Sequence, residues 1–305
     1  MLKRVGLHVA RGFAMGAADI VPGVSGGTIA LLFGIYERLV TNVATGAKAL
    51  GSTLRLDLRG ARRHFGRVAW GFLLPLLAGI LAAVVALSAL LDRLLHEHPE
   101  AMAGLFFGLV AASVVVAWDM LRRRDGIALI TMLAVAVVLF VLLGFQSGPT
   151  ANPSLLAFLG AGAIAICAMI LPGISGSFLL LMLGMYAAVL DAVNERELLE
   201  LAVFLVGVVV GLALFSSALT WLLAQAHDLV LAALIGLMLG SLRVLWPWPN
   251  GVGVISDEAD ELVDGSAVDW PAADEIAVPL LLGVAAFAVV VALSRWATHR
   301  PGPVS

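Results

Sequence analysis

Ile20-Val-Pro-Gly-Val-Ser-Gly-Gly-Thr-Ile-Ala-Leu31 returns 150 positions later as Ile170-Leu-Pro-Gly-Ile-Ser-Gly-Ser-Phe-Leu-Leu-Leu181. The only two tyrosines of the chain, Tyr36 and Tyr186, keep the same spacing from it. Proline lacks the amide proton that a helix interior needs, and glycine tolerates a left-handed helix end. Pro22-Gly23 and Pro172-Gly173 are therefore expected to stop one helix, and Ser25 and Ser175 stand where an N-cap begins the next. Each copy lies inside an apolar run, so the pattern places two sets of helix ends within a membrane.

The rest of the chain demands that membrane. Of 305 residues, 61% are hydrophobic and 13% charged, with a mean hydropathy of +1.04. A soluble globule of this size is less apolar. Runs near 68–91, 101–121, 126–146, 198–224, 229–246 and 276–297 approach the roughly 20 residues of a spanning helix. They lack the short alternating segments of an outer-membrane barrel. The expected fold class is an all-α integral membrane protein. A single cysteine, Cys167, excludes an intramolecular disulfide or a cysteine-based metal cluster and reads as a small core residue. Arg11 and Asp19 interrupt the first apolar run, so no cleaved signal peptide is expected.

The repeat extends beyond the motif. Gly79, Gly104 and Gly108 align with Gly211, Gly236 and Gly240 at an offset of 132, and Ile127-Ala128 and Ile276-Ala277 open the last run of each half. The chain reads as two five-segment units within one membrane domain, as in many transporters. Residues 1–147 hold a hairpin at 5–40, a basic cytoplasmic loop at 41–67 and three spans. Residues 148–305 hold a hairpin at 153–190, three spans and an acidic external loop at 247–275.

Orientation follows from Lys and Arg. Lys3, Arg4 and Arg11 precede the first motif, and Lys48, Arg55, Arg59, Arg62, Arg63 and Arg67 follow it, so both flanks are read as cytoplasmic. Ten residues separate Arg11 from Pro22, roughly 15 Å of helix and half a bilayer. A re-entrant hairpin fits that length better than two spans. Counting forward puts the 92–100 loop outside, Arg122-Arg123-Arg124 inside and the second hairpin's flanks outside. The turn at 225–228 falls inside without a basic residue, and the C-terminal Arg295 and Arg300 return to the cytoplasm. Three spans per unit make the two units inverted, although the first arm of the second hairpin is also long enough to span.

A helix N-terminus behaves as about half a positive charge with free N–H donors. Two inverted hairpins would bring two of them together near mid-depth, where a phosphate or carboxylate can be held without a fixed cation. The expected contacts are Ser25, Gly26, Gly27 and Thr28 with Ser175, Gly176 and Ser177, and Tyr36, Arg38 and Tyr186 close by. The competing reading is that the glycines only let two helices cross closely. Asp19, whose counterpart is Met169, is costly in an apolar arm, about 2.5–3.5 kcal/mol on insertion scales. It is a candidate for ion coupling or for a structural cap, and Glu37 is the second coupling candidate. His96 and His98 lack a recognised ligand spacing, so no metal and no cofactor is expected.

The run from Met15 to Thr28, continuing to Gly34-Ile-Tyr-Glu-Arg38, resembles the signature of a bacterial family, PopT, the polyprenyl-phosphate transporters. Leu171 to Phe178, with Gly184-Met-Tyr186, resembles its second signature, and the similarity covers nearly the whole chain. The resemblance implies a non-enzymatic carrier in the bacterial cytoplasmic membrane, both termini cytoplasmic. Its partners would be the bilayer and a polyprenyl phosphate lipid, with no nucleic acid; the residues leave proton coupling, sodium coupling and no coupling open as alternatives. Its implied role is to return undecaprenyl phosphate from the outer to the inner leaflet. The main alternative is an integral-membrane polyprenyl pyrophosphate phosphatase, which also uses inverted hairpins with Pro-Gly-x-Ser. Gly26 and Gly176 stand after the serines here, where that enzyme family places a phosphate-binding arginine. An anion channel is the third reading.

Overall fold

A computed structural model describes residues 2–21, 24–144, 150, 153–248 and 268–298, and these are helical, without strands. Pro22 and Gly23 of the first break, and residues 249–267 of the acidic loop, lie outside the described residues.

The first hairpin begins with α1 (Leu2–Asp19). Its second arm is two helices, α2 (Gly26–Leu32) and α3 (Tyr36–Leu54). Next come α4 (Leu58–Arg67), α5 (Trp70–Glu97), α6 (Pro99–Asp119) and α7 (Gly126–Leu142). The second hairpin has the same plan as the first: α8 (Leu155–Ile170), α9 (Gly176–Met182) and α10 (Tyr186–Asn194), followed by α11 (Leu198–Ser241) and α12 (Ala277–Thr298). The sequence suggested one continuous second arm in each hairpin. Instead α9 and α10 meet at 110°, and the chain turns at matching glycines, Gly34 (φ +64) and Gly184 (φ +67). Each turn is closed by the same pair of bonds. Gly34 and Ile35 donate to Leu31 and Ala30, and Gly184 and Met185 donate to Leu181 and Leu180, all at 2.9 Å. This glycine-dependent helix stop leaves Tyr36 and Tyr186 as the first residues of the helices that follow.

α5, α6, α11 and α12 are long and apolar enough to cross a membrane. With 44 residues, α11 contains about 66 Å of helix, enough for two crossings. It kinks at Ala226 (φ −140, ψ 52), and α5 meets α6 at His98 with nearly the same backbone (φ −140, ψ 55).

Three segments expected as loops are mostly helix. In the 41–67 stretch α3 runs on to Leu54, and α4 starts on Asp57, whose carboxylate accepts from the Gly60 amide at 2.9 Å. In the 92–100 stretch α5 continues to Glu97, braced by Arg93–Glu97 at 2.7 Å, and Pro99 opens α6. The 225–228 turn reduces to the kink. Polar residues at helical spacing prolong a helix past the end of its apolar run, so a hydropathy boundary falls short of the helix end.

Small residues bring the helices into backbone contact, as is common in membranes. A Cβ on Gly79 would strike the Val9 carbonyl, joining α5 to α1, and one on Gly207 would strike the Leu159 carbonyl, joining α11 to α8. Across the halves, Gly108 of α6 meets Gly283 of α12, and Gly236 of α11 meets Met132 of α7. Val9 and Leu159 are 150 apart, whereas Gly79 and Gly207, like Gly108 and Gly236, are 128 apart. These matching contacts are spaced one helical turn more closely than the glycine pairs at 132. Glycines four residues apart, such as Gly207 and Gly211, leave the sequence register degenerate, and the packing partner decides it. The extra length after the first motif, 150 less 128, is 22 residues, taken up by the longer α3 and by α4. The main core, including Val21, Ile29, Leu31, Tyr36, Val110, Ile235 and Met238, gathers where α2, α3, α6 and α11 meet.

Candidate functional site

The two breaks touch. Thr28, fully buried in the first turn of α2, accepts at Oγ1 the Gly173 N–H at 2.9 Å, and the Ser25 hydroxyl donates to the Met169 carbonyl at 3.3 Å. A Cβ on Gly27 would come within 2.8 Å of the Ile170 carbonyl. Gly173, at φ +83, lies so close to Met238 that a Cβ would sit 2.7 Å from its Cα, and α11 therefore backs the junction. The buried Pro172 completes the second break.

The amides expected to be open at the start of α2 are occupied. Gly26 donates to the Asp19 carboxylate at 2.5 Å, Gly27 to the Ser25 hydroxyl at 3.1 Å, and Thr28 to the Ser25 carbonyl at 2.9 Å. A carboxylate thus holds the place that a helix N-terminus offers to an anion. The second break differs. The Ser175 hydroxyl does not cap α9 but shares a 2.9 Å hydrogen bond with the Ser177 hydroxyl. Where Asp19 covers Gly26, the thioether side chain of Met169 covers Gly176; a Cβ there would lie 2.7 Å from Met169 Cγ. Ser175 and Gly176 are buried, and Ser177 is exposed.

The remaining predicted residues gather elsewhere. Tyr36, Glu37 and Arg38 sit at the far end of α2, seven residues or roughly 10 Å from its start. Tyr36 is 2% exposed and its hydroxyl has no hydrogen-bond partner; Tyr186 is half-buried. The Arg38 guanidinium lies 4.3 Å from the centre of the Phe72 ring, a favourable cation–π placement. The Glu37 carboxylate pairs with His227 Nε2 at 2.7 Å, while His227 Nδ1 lies 3.1 Å from Asp228, which also accepts the Arg122 N–H at 3.2 Å. A cavity of about 470 Å³ opens here, lined by Tyr36, Glu37, Arg38, Arg122, His227 and Leu231 among others.

His227, Asp228 and Arg122 were not legible as site residues. The first two lie in a turn read only for its lack of basic charge, and Arg122 reads as an orientation signal. His227 follows the kink at Ala226 and meets Glu37, which is 190 positions away.

An all-helical membrane protein whose two helix breaks touch, with polar groups beside them, has discontinuous helices of the kind found in many carriers. The chain belongs to the family described as VCA0040-like, undecaprenyl phosphate translocase-like, whose model matches residues 15–263. It is 44% identical over 247 residues to a polyprenyl-phosphate transporter of Vibrio cholerae, covering 78% of this chain and 76% of that one. To a polyprenyl-phosphate transporter of Staphylococcus aureus it is 30% identical over 261 residues, 79% of this chain and 86% of the relative. Both relatives are named as transporters and neither as an enzyme. No solved structure matches.

Proposed function

We propose that the protein is a carrier that moves undecaprenyl phosphate from the outer to the inner leaflet of a bacterial cytoplasmic membrane. The two halves act as inverted repeats, with the hairpins entering from opposite faces. Support comes from the exchange of partners between halves, α6 with α12 and α7 with α11, and from the transporters to which the chain is similar. The apolar tail stays in the bilayer while the phosphate crosses.

The observation that carries the reading is the Asp19 carboxylate on the Gly26 amide, 2.5 Å away, beside the junction of the two breaks. It is an internal anion at the position proposed for the lipid phosphate. Proton uptake by Asp19 weakens its hold on the amide, and the head group then takes the Gly26 N–H and the Ser175 and Ser177 hydroxyls. Return of the carboxylate expels it. Rocking of the halves opens the junction to alternate sides.

The test is reconstitution in liposomes containing undecaprenyl phosphate, with a phosphatase added outside and a pH gradient imposed. Cleavage should proceed beyond the outer-leaflet pool only with the protein present. Cleavage confined to that pool under every gradient rejects the function.

A further inference from the structure

The cavity at the bend of the first hairpin is electrostatically unlike the junction. Arg38 from α3 and Arg122 from the α6–α7 connection both line it, and neither guanidinium has a carboxylate within ion-pair distance among the described residues. The two acids near enough to neutralise them are engaged elsewhere. Glu37 is held by His227 at 2.7 Å, and Asp228 by His227 and the Arg122 amide at 3.1 and 3.2 Å. Arg11 of α1 lies close enough to Arg38 to interact with it electrostatically, which adds positive potential and no acid. The wall includes Tyr36, 98% buried with an unpartnered hydroxyl. At about 470 Å³ the space is of ligand-pocket size. The second hairpin has no counterpart, because Ala187 and Ala188 replace Glu37 and Arg38.

We propose that this cavity is a phosphate-binding station separate from the junction, where Arg38 and Arg122 grip the phosphate of an isoprenoid phosphate monoester. His227 serves as a positioning residue that keeps Glu37 and Asp228 off the arginines. Two unpaired guanidiniums supply the forked donors that suit a phosphate dianion. The junction offers only neutral donors and releases its cargo readily. A charged station on one repeat alone gives the cycle a preferred end. The proposal rests on the lipid-phosphate reading above and adds a second site to it.

The experiment titrates purified protein in detergent with farnesyl phosphate, inorganic phosphate and farnesol by isothermal calorimetry. It compares wild type with R38Q, R122Q, the double variant and R124Q. Arg124 is already paired with Asp119 at 3.0 Å and does not line the cavity, so it controls for loss of charge. Each single cavity substitution should weaken farnesyl phosphate binding about tenfold, one charge-assisted contact, with R124Q unaffected. Arg122 is exposed on a connection, so R122Q carries the test if R38Q fails to fold. Inorganic phosphate bound as tightly, with the same arginine dependence, upholds the site and makes free phosphate its ligand. Wild-type affinity in the double variant, equal losses in R124Q and R122Q, or no preference for farnesyl phosphate over farnesol overturns the site. Transport by the liposome assay with arginine-independent binding rejects the station and leaves the carrier standing; arginine-dependent binding without transport does the reverse.

Discussion

At the scale of single residues, what separates the two breaks is Asp19 against Met169. Each side chain covers the first glycine of the short helix that follows it, but only the carboxylate can accept its amide and only the carboxylate can exchange a proton. Asp19→Asn keeps the shape and can still accept the Gly26 N–H, yet it cannot titrate. The variant should fold and should transport with a flat pH profile in liposomes. A profile matching wild type would end the coupling role and leave Asp19 as a cap, a contact of about 1 kcal/mol or more for a buried charge-assisted bond. Asp19 was visible in the sequence as an acid out of place, and Ser25 and Thr28 as polar residues in an apolar setting. Their partners were not visible, because the Thr28–Gly173 bond spans 145 positions.

At the scale of elements, glycine sets where the second arms turn. Gly34 holds φ +64, and a Cβ there would meet nothing within 4 Å, so Gly34→Ala carries only the backbone penalty, about 1–2 kcal/mol. Gly173 holds φ +83 and is also pressed against Met238, so Gly173→Ala should cost distinctly more. Thermal unfolding in detergent should rank wild type above Gly34→Ala and both above Gly173→Ala; the reverse order of the two variants would contradict the packing at the junction. The apolar helices were legible from their runs and from the Pro-Gly-x-Ser breaks, whereas the polar α4 and the split of each second arm were not. Helix ends were not, as at Glu97 and α4, because side-chain pairs and caps carry helices beyond the point where hydropathy falls.

At the scale of the whole molecule, the halves are not independent bodies. α6 needs α12 at Gly108–Gly283, and α7 needs α11 at Met132–Gly236. A half made alone leaves glycine-lined faces without their partners. Residues 1–147 and 148–305 expressed separately should each be lost from the membrane, whereas co-expressed halves should co-purify and restore transport. A stable, monodisperse half would show that the exchanged contacts contribute little.

The sequence by itself determined the membrane setting, the helical class, the duplicated breaks and the matching offset of the two tyrosines from them. These depend on composition and on backbone rules acting over a few neighbours, which a linear reading captures. Tertiary structure alone decided which glycines make the matching helix contacts, that Asp19 sits on the Gly26 amide, and that Arg122 and His227 join Arg38 around one cavity. Each of these depends on which surfaces pack together across more than a hundred positions or around a closed turn. Small residues spaced by one helical turn make several such packings look equivalent until the partner helix is in place.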